Sequence, residues 1–388
     1  MHYQKSKILI VAFVWTLALA GTITIAWFIN RPKITTLVHV KEPNKPVLHV
    51  GQDRVDSRLD MQAMLLTGRI PSNGLPQNMN KEDWDSFSTL AKSSWQRYEG
   101  QIGKPMQVWA SKEISSTSPS VFYPFSGPDF TTLYQLFPQK SHYVMVAQQR
   151  GEKLVDLSSL RPSSAGQTLE VLGSAWKSYG VDGFFVTEYL YKYLSTNKVK
   201  IGATTLIASF LSLHDFSILK IVPIHVTPQG QVEELAQDDS WNSVRFYLAK
   251  DGRNVQLDYL SLDLSDGGLK ARPENYEFIK LMSVNPTLLK AASHLPQHPG
   301  FTMIKEAMLE NAPYIVQDET GLNYKPLSAK FETKLYGAFV KSYKVFQTYN
   351  KELAQAYLER DDESPLPFRV GYYKDGAYAV IVAKRKQP

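Results

Sequence analysis

Twenty-two consecutive residues, Ile8 to Ile29, carry no charge. As a helix rising ~1.5 Å per residue, such a run reaches about 33 Å, enough to cross the hydrocarbon core of a bilayer. Lys5 and Lys7 precede it. Trp27 lies near its far end, where an amphipathic ring favours the interface, and Arg31, Pro32 and Lys33 stop it. The chain is therefore expected to carry a tail at 1–7 and one transmembrane helix at 8–29. Ala18-Leu19-Ala20 ahead of Gly21 has the small-x-small form of a cleavage site, which is the rival reading. Ile23, Ile25, Trp27, Phe28 and Ile29 would then remain as an apolar stub, so length favours an uncleaved signal anchor. The basic residues on either side do not settle orientation, but a short tail ahead of one apolar run is the usual export arrangement. The expectation is a single-pass bacterial inner-membrane protein. Its partner through 8–29 is the lipid bilayer, and its soluble body lies in the periplasm or otherwise outside the cytoplasm.

Cysteine is absent, which removes disulfides, thiolate metal sites, a lipoprotein cysteine and a catalytic thiol. The formal charge of +6 belongs to the ends of the chain. Residues 1–33 hold Lys5, Lys7, Arg31 and Lys33 and no acid, leaving 39 basic against 37 acidic residues elsewhere. Lys384, Arg385 and Lys386 take three more bases. The nearly neutral remainder lacks the basic footprint of a nucleic-acid binder, so no such partner is expected.

Pro32, Pro43, Pro46, Pro71 and Pro76 mark residues 30–80 as a tether, with a strand near 47–50 and a helical turn or two at 59–66. Residues 81–388 read as one soluble domain. Apolar spacing predicts helices at 82–101, 131–137, 166–194 (interrupted near 180–183), 204–213, 274–282, 287–293, 302–309 and 345–358. Strands are predicted at 143–148, 219–227, 243–249, 255–264, 314–317 and 332–339. Asp251-Gly252 should turn a hairpin, and 368–373 with 378–383 should form a terminal one. Helices and hairpin strands mix without strict alternation. That pattern favours α+β, or α/β with antiparallel additions.

Three stretches stand out. The first is Tyr123-Pro124-Phe125-Ser126-Gly127-Pro128-Asp129-Phe130, and the second is Gly183-Phe184-Phe185-Val186-Thr187. The third is Leu289-Lys290-Ala291-Ala292-Ser293-His294-Leu295, continuing to Gln317-Asp318-Glu319-Thr320-Gly321. Their order and spacing over residues 81–375 resemble a family of uncharacterised bacterial exported proteins with a Tyr-Pro-Phe-Ser-Gly-Pro-Asp element and a later Lys-Ala-Ala-Ser block. The resemblance implies export and one shared fold, and it carries no activity. The long apolar anchor and the lack of cysteine depart from that family's usual leader.

Within the first block, Gly127 and Pro128 suit a turn, and Asp129 stands where the following helix needs an N-cap. The sharper reading makes Asp129 a base or bound anion and Ser126 a nucleophile, although no Gly-x-Ser-x-Gly elbow surrounds it. Lys290, on the expected helix 287–293, would pair with an acid such as Asp318 or hold an anionic ligand. His294 and His298 have a zinc-like spacing, but Pro296 between them breaks the helix that would align them and no His-Glu-x-x-His glutamate is present. No metal is expected. Asp318 and Glu319 end a short strand, where successive side chains point to opposite faces. Gly-x-Gly-x-x-Gly and Walker-A patterns are missing, so no cofactor is expected.

The candidate catalytic residues are Ser126, Asp129, Lys290, His294 and Asp318; the candidate ligand contacts are Tyr123, Lys290 and Gln317. Two functions stay open, and whether the chain is an enzyme is left undecided. One is a non-enzymatic envelope domain that binds a polymer or a protein partner. The other is an envelope hydrolase or transferase, which requires the 123–129 and 290–298 blocks to meet around one polar site.

Overall fold

The computed structural model describes residues 57–184, 201–236, 240–290, 294–341, 350–362, 364–371 and 378–387. The expected membrane helix at 8–29 and the strand near 47–50 lie outside these residues. So do the second half of the expected helix 166–194, residues 291–293 and the turn at 374–376. Among the described residues no helix is long and apolar enough to cross a membrane.

Residues 57–80, which the tether reading of 30–80 includes, already carry a helix packed into the core. Helix α1 (Ser57–Leu65) buries Ala63, with Leu66 just beyond it, in the core. Its Gln62 accepts the Leu157 N–H at 2.9 Å, and its Asp60 accepts that of Ile218 at 2.7 Å. Asn80 caps α2 (Lys81–Tyr98) by accepting the N–H groups of Glu82 and Asp83. Gly100, Gly103 and Pro105 look like a stop, but a π-helical turn at Glu99–Gly103 carries the chain into α3 (Lys104–Glu113). Trp84, Phe87 and Ala91 of α2 are buried, and the helix packs on α5 (Pro162–Asp182).

The remaining elements build one mixed sheet of ten strands. They are β1 (Ser120–Pro124), α4 (Phe130–Leu136), β2 (His142–Ala147), α6 (Ala203–Leu213), β3 (Ser217–Val226), β4 (Val232–Glu234), β5 (Ser243–Lys250) and β6 (Arg253–Ser261). Then come α7 (Asp266–Ala271), α8 (Pro273–Met282), β7 (Thr287–Leu289), α9 (Thr302–Asn311), β8 (Tyr314–Asp318), α10 (Tyr324–Lys330), β9 (Phe331–Gly337), α11 (Lys351–Glu359) and β10 (Ala379–Arg385). The order across the sheet is β4-β3-β5-β6-β2-β1-β7-β8-β10-β9. The five central strands, β6-β2-β1-β7-β8, are parallel, and antiparallel strands extend both sides. This is a mixed α and β domain with a parallel centre and antiparallel additions.

Two local expectations are overturned. Residues 287–289 form a strand, not the start of a helix. Leu-Leu-Lys-Ala-Ala has good helix propensity, but Thr287, Leu288 and Leu289 are buried between β1 and β8, and tertiary pairing wins over a weak local preference. Likewise, Ala379–Arg385 does not pair with residues 368–371, the described part of the expected strand. It slots antiparallel between β8 and β9. The Asp251-Gly252 hairpin forms as expected, with both residues at positive φ (50° and 71°), as a two-residue turn of the I′ kind demands.

Candidate functional site

The chain runs from β1 to β2 and β6 on one side, then crosses back to β7 and β8 on the other. The connections leaving β1 and β7 therefore diverge. In open parallel sheets, the crevice beyond the carboxyl ends of such strands is the preferred place for a ligand. The first and third sequence blocks follow β1 and β7, so both arrive at that crevice.

After β1 the backbone turns sharply, with Phe125 at φ 62° and Gly127 at φ 55°. A positive φ at a bulky residue such as Phe125 is uncommon and marks a turn held by its surroundings. The turn delivers Asp129 to the start of α4, where its Oδ1 accepts the Thr132 N–H at 3.3 Å. Oδ1 also accepts the Tyr179 hydroxyl at 3.0 Å. Oδ2 faces Lys290 Nζ at 2.7 Å, in an ion pair whose side chains are 7% and 8% exposed. Lys290 thus pairs with Asp129 across 161 residues of sequence, and not with Asp318 as anticipated. Its other hydrogen bonds go to Thr132 Oγ1 and to the Gly183 carbonyl, both at 3.3 Å. Gly183 ends α5 at φ 70°, a left-handed conformation that glycine takes without steric cost. Phe184 places its ring centroid 5.7 Å from Nζ. All three sequence blocks therefore meet around one ammonium group.

Tyr123, wholly buried, donates to the Lys290 carbonyl at 3.4 Å. Burial, and then the negative charge of Asp129, pushes the hydroxyls of Tyr98, Tyr123 and Tyr179 well above the ordinary phenol range. They stay protonated and carry no charge at the site.

The opposite wall is the end of β8. Asp318 accepts the Thr320 N–H at 2.9 Å and the Thr320 hydroxyl through Oδ1. Among the described residues its Oδ2 and both carboxyl oxygens of Glu319 have no hydrogen-bond partner, although the two residues are 3% and 2% exposed. Burial pushes the Asp318 carboxyl up to about 6, and burial plus the neighbouring Asp318 charge pushes Glu319 well above its ordinary range. Lys290 opposes both shifts. Strict alternation would have separated these two acids, but the strand stops at Asp318 and both end up buried near the same cation.

The other candidates have structural partners. Ser126 donates to backbone carbonyls, Gly127 O at 2.8 Å and Val146 O at 3.2 Å, and so braces the turn. Gln317 uses both ends of its amide on the Leu322 backbone, accepting its N–H at 3.0 Å and donating to its carbonyl at 2.9 Å. His294 is buried at φ 56°, with Nδ1 3.4 Å from Gln297 Oε1, and burial lowers its pKa. Residues 287–289 are a strand, so the helix expected over 287–293 does not begin there, and residues 291–293 between Lys290 and His294 lie outside the described residues. No group of three His, Asp or Glu side chains is placed to hold a metal ion among the described residues.

Sequence reasoning missed Tyr179, Thr132 and the Gly183 carbonyl, which have no distinguishing spacing. It also missed a second buried ion pair. Asp258 on β6 accepts Arg245 on β5 at 2.6 and 2.9 Å, His142 Nε2 lies 3.1 Å away, and Gln256 donates at 3.0 Å. Comparison of the chain with family models, curated proteins and solved structures found no match.

Proposed function

We propose that this domain binds a small polar ligand at the carboxyl ends of β1, β7 and β8, and that residues 8–29 tether it to a bacterial inner membrane with the domain outside the cytoplasm. The observation that supports the ligand site is the meeting of Asp129, Gly183, Phe184 and Lys290 around Lys290 Nζ, next to buried carboxyl oxygens that none of the described residues satisfies. Buried polar groups in native proteins are nearly always paired, and open parallel sheets take their ligands at the switch point beyond the carboxyl ends of the strands. The anchor and export assignments rest on the apolar run and on the family resemblance.

A hydrolase or transferase is the second reading, and one observation favours it. Asp318 and Glu319 are held toward their protonated forms, as a general acid at neutral pH requires. In that reading Lys290 stabilises developing negative charge. Ser126 has no base on its hydroxyl and is a weaker nucleophile candidate than the block convergence suggested.

Thermal melting of the full-length protein against a mixed library of sugars, amino acids, amines and phosphorylated compounds tests the site. A compound should raise the melting temperature in the wild type and do so much less in Phe184→Ala and Thr132→Val. A hit unaffected by both variants, or no hit in any class, overturns the reading. Release of the protein from membranes by carbonate, without detergent, overturns the tether.

A further inference from the structure

The positive charge at this site is used up within it. An ammonium group has three N–H bonds to give. Lys290 directs them at Asp129 Oδ2, Thr132 Oγ1 and the Gly183 carbonyl. None remains for Asp318 or Glu319, although Lys290 is the cation whose charge both carboxyls sense. The nearby amides are committed too. Gln317 donates to Leu322 O, and Gln297 donates to the backbone carbonyls of Glu319 at 2.7 Å and Gly321 at 3.1 Å, not to a carboxyl. Among the described residues three carboxyl oxygens therefore stand without donors: Asp318 Oδ2, Glu319 Oε1 and Glu319 Oε2.

At Gly371, where φ is 74°, a β-carbon would stand 2.9 Å from Glu319 Oε1. The backbone lies directly against the carboxyl, and a side chain at this position would crowd it.

Resting on the ligand-site reading above, we propose that the ligand carries a positively charged amino group, which donates its N–H bonds to Glu319 and Asp318. The charge count selects this chemistry. Asp129, Asp318 and Glu319 face one lysine, and that lysine is already neutralised by Asp129 at 2.7 Å. A hydroxyl could fill an acceptor, but only a cation also lets the two buried acids, held toward their protonated forms in its absence, release their protons and accept its N–H bonds as carboxylates. Among the described residues no group of three His, Asp or Glu side chains is placed to hold a metal ion instead.

Calorimetry and thermal melting of the full-length protein in detergent, with matched probes, test the proposal. The probes are ethanolamine against ethylene glycol and glucosamine against glucose, each pair differing by one ammonium group in place of a hydroxyl. The ammonium member of at least one pair should bind ten-fold or more tightly than its partner. Glu319→Gln, which keeps the shape of the side chain, should erase that preference while the protein still melts cooperatively. Asp318→Asn repeats the test should Glu319→Gln not fold. Equal binding of both members of a pair overturns the cationic ligand and leaves the site reading intact. An ammonium preference that survives both variants overturns the assignment to Glu319 and Asp318. No binding by any probe overturns the amino-ligand proposal, whereas the site reading falls only with the mixed library.

Discussion

The domain contains two buried ion pairs that differ in how completely they are satisfied. In the first, the Asp258 carboxylate receives two bonds from Arg245, one from Gln256 and a contact from His142. Burial alone would raise its pKa, but these donors hold it well below the usual carboxylate range. In the second, Lys290 and Asp129 satisfy one another, while Asp318 and Glu319 beside them run short of donors and are pushed upward. The first cluster spans β2, β6 and β5 and locks neighbouring strands together. The second sits at strand ends, at the crevice. A fully bonded carboxylate supports the fold; one left wanting donors stores a demand that a ligand can meet.

That contrast can be broken by substitution. The largest effect is expected from Asp258→Ala, which strands the buried Arg245 guanidinium. Loss of one partner of a buried pair costs about 3–5 kcal/mol, and urea denaturation should show it. Lys290→Met leaves Asp129 uncompensated at a cost of about 3 kcal/mol, and adding Asp129→Asn should recover part of the loss. If the double variant is as unstable as the sum of the singles, the two side chains do not act as a pair.

Next in size is the dependence on pH, where the two clusters have opposite signs. For Asp258 the folded pKa is depressed. Its contribution is present above the ordinary carboxylate pKa of about 4 and is lost as pH falls below it. For Asp318 and Glu319 the folded pKa is raised. Their contribution is present below about 4 and is lost as pH rises, for Asp318 through about 6. Stability measured from pH 3 to 8 should therefore lose its fall on the alkaline side in Glu319→Gln and Asp318→Asn. At pH 7, Glu319→Gln should gain on the order of 1 kcal/mol, because the wild type must keep a buried acid protonated. A loss of several kcal/mol instead would make Glu319 a structural residue like Asp258. The smallest effect belongs to a control away from both clusters. Asp251→Asn, at a left-handed turn position that asparagine favours, should gain no more than about 0.5 kcal/mol and leave the pH profile unchanged.

Much of the local structure was legible in the sequence. Asp129 ahead of Phe130-Thr131-Thr132-Leu133 announced a cap, and Asp251-Gly252 announced a hairpin, because each is decided by residues within a few positions. The failures are non-local. Residues 287–289 resemble the start of a helix until β1 and β8 are known to flank them. The choice of Asp129 over Asp318 as the partner of Lys290 follows from the crossing of the chain at β1 and β7, which no window of sequence contains. Tyr179 reads as one more core aromatic of α5, and only its hydroxyl's aim at Asp129 sets it apart. The burial of both Asp318 and Glu319 depends on the strand ending where it does, which alternation alone does not reveal.

The strand order also dictates when the crevice can be completed. β8, which bears Asp318, is covered on its outer side by Val380, Ile381 and Val382 of β10, some sixty residues further along the chain. Until that late segment arrives, β8 is an open template for any extended peptide passing by. A nascent chain stalled or clipped before residue 379 would expose it, so cells that make this protein have reason to shield or destroy such fragments quickly.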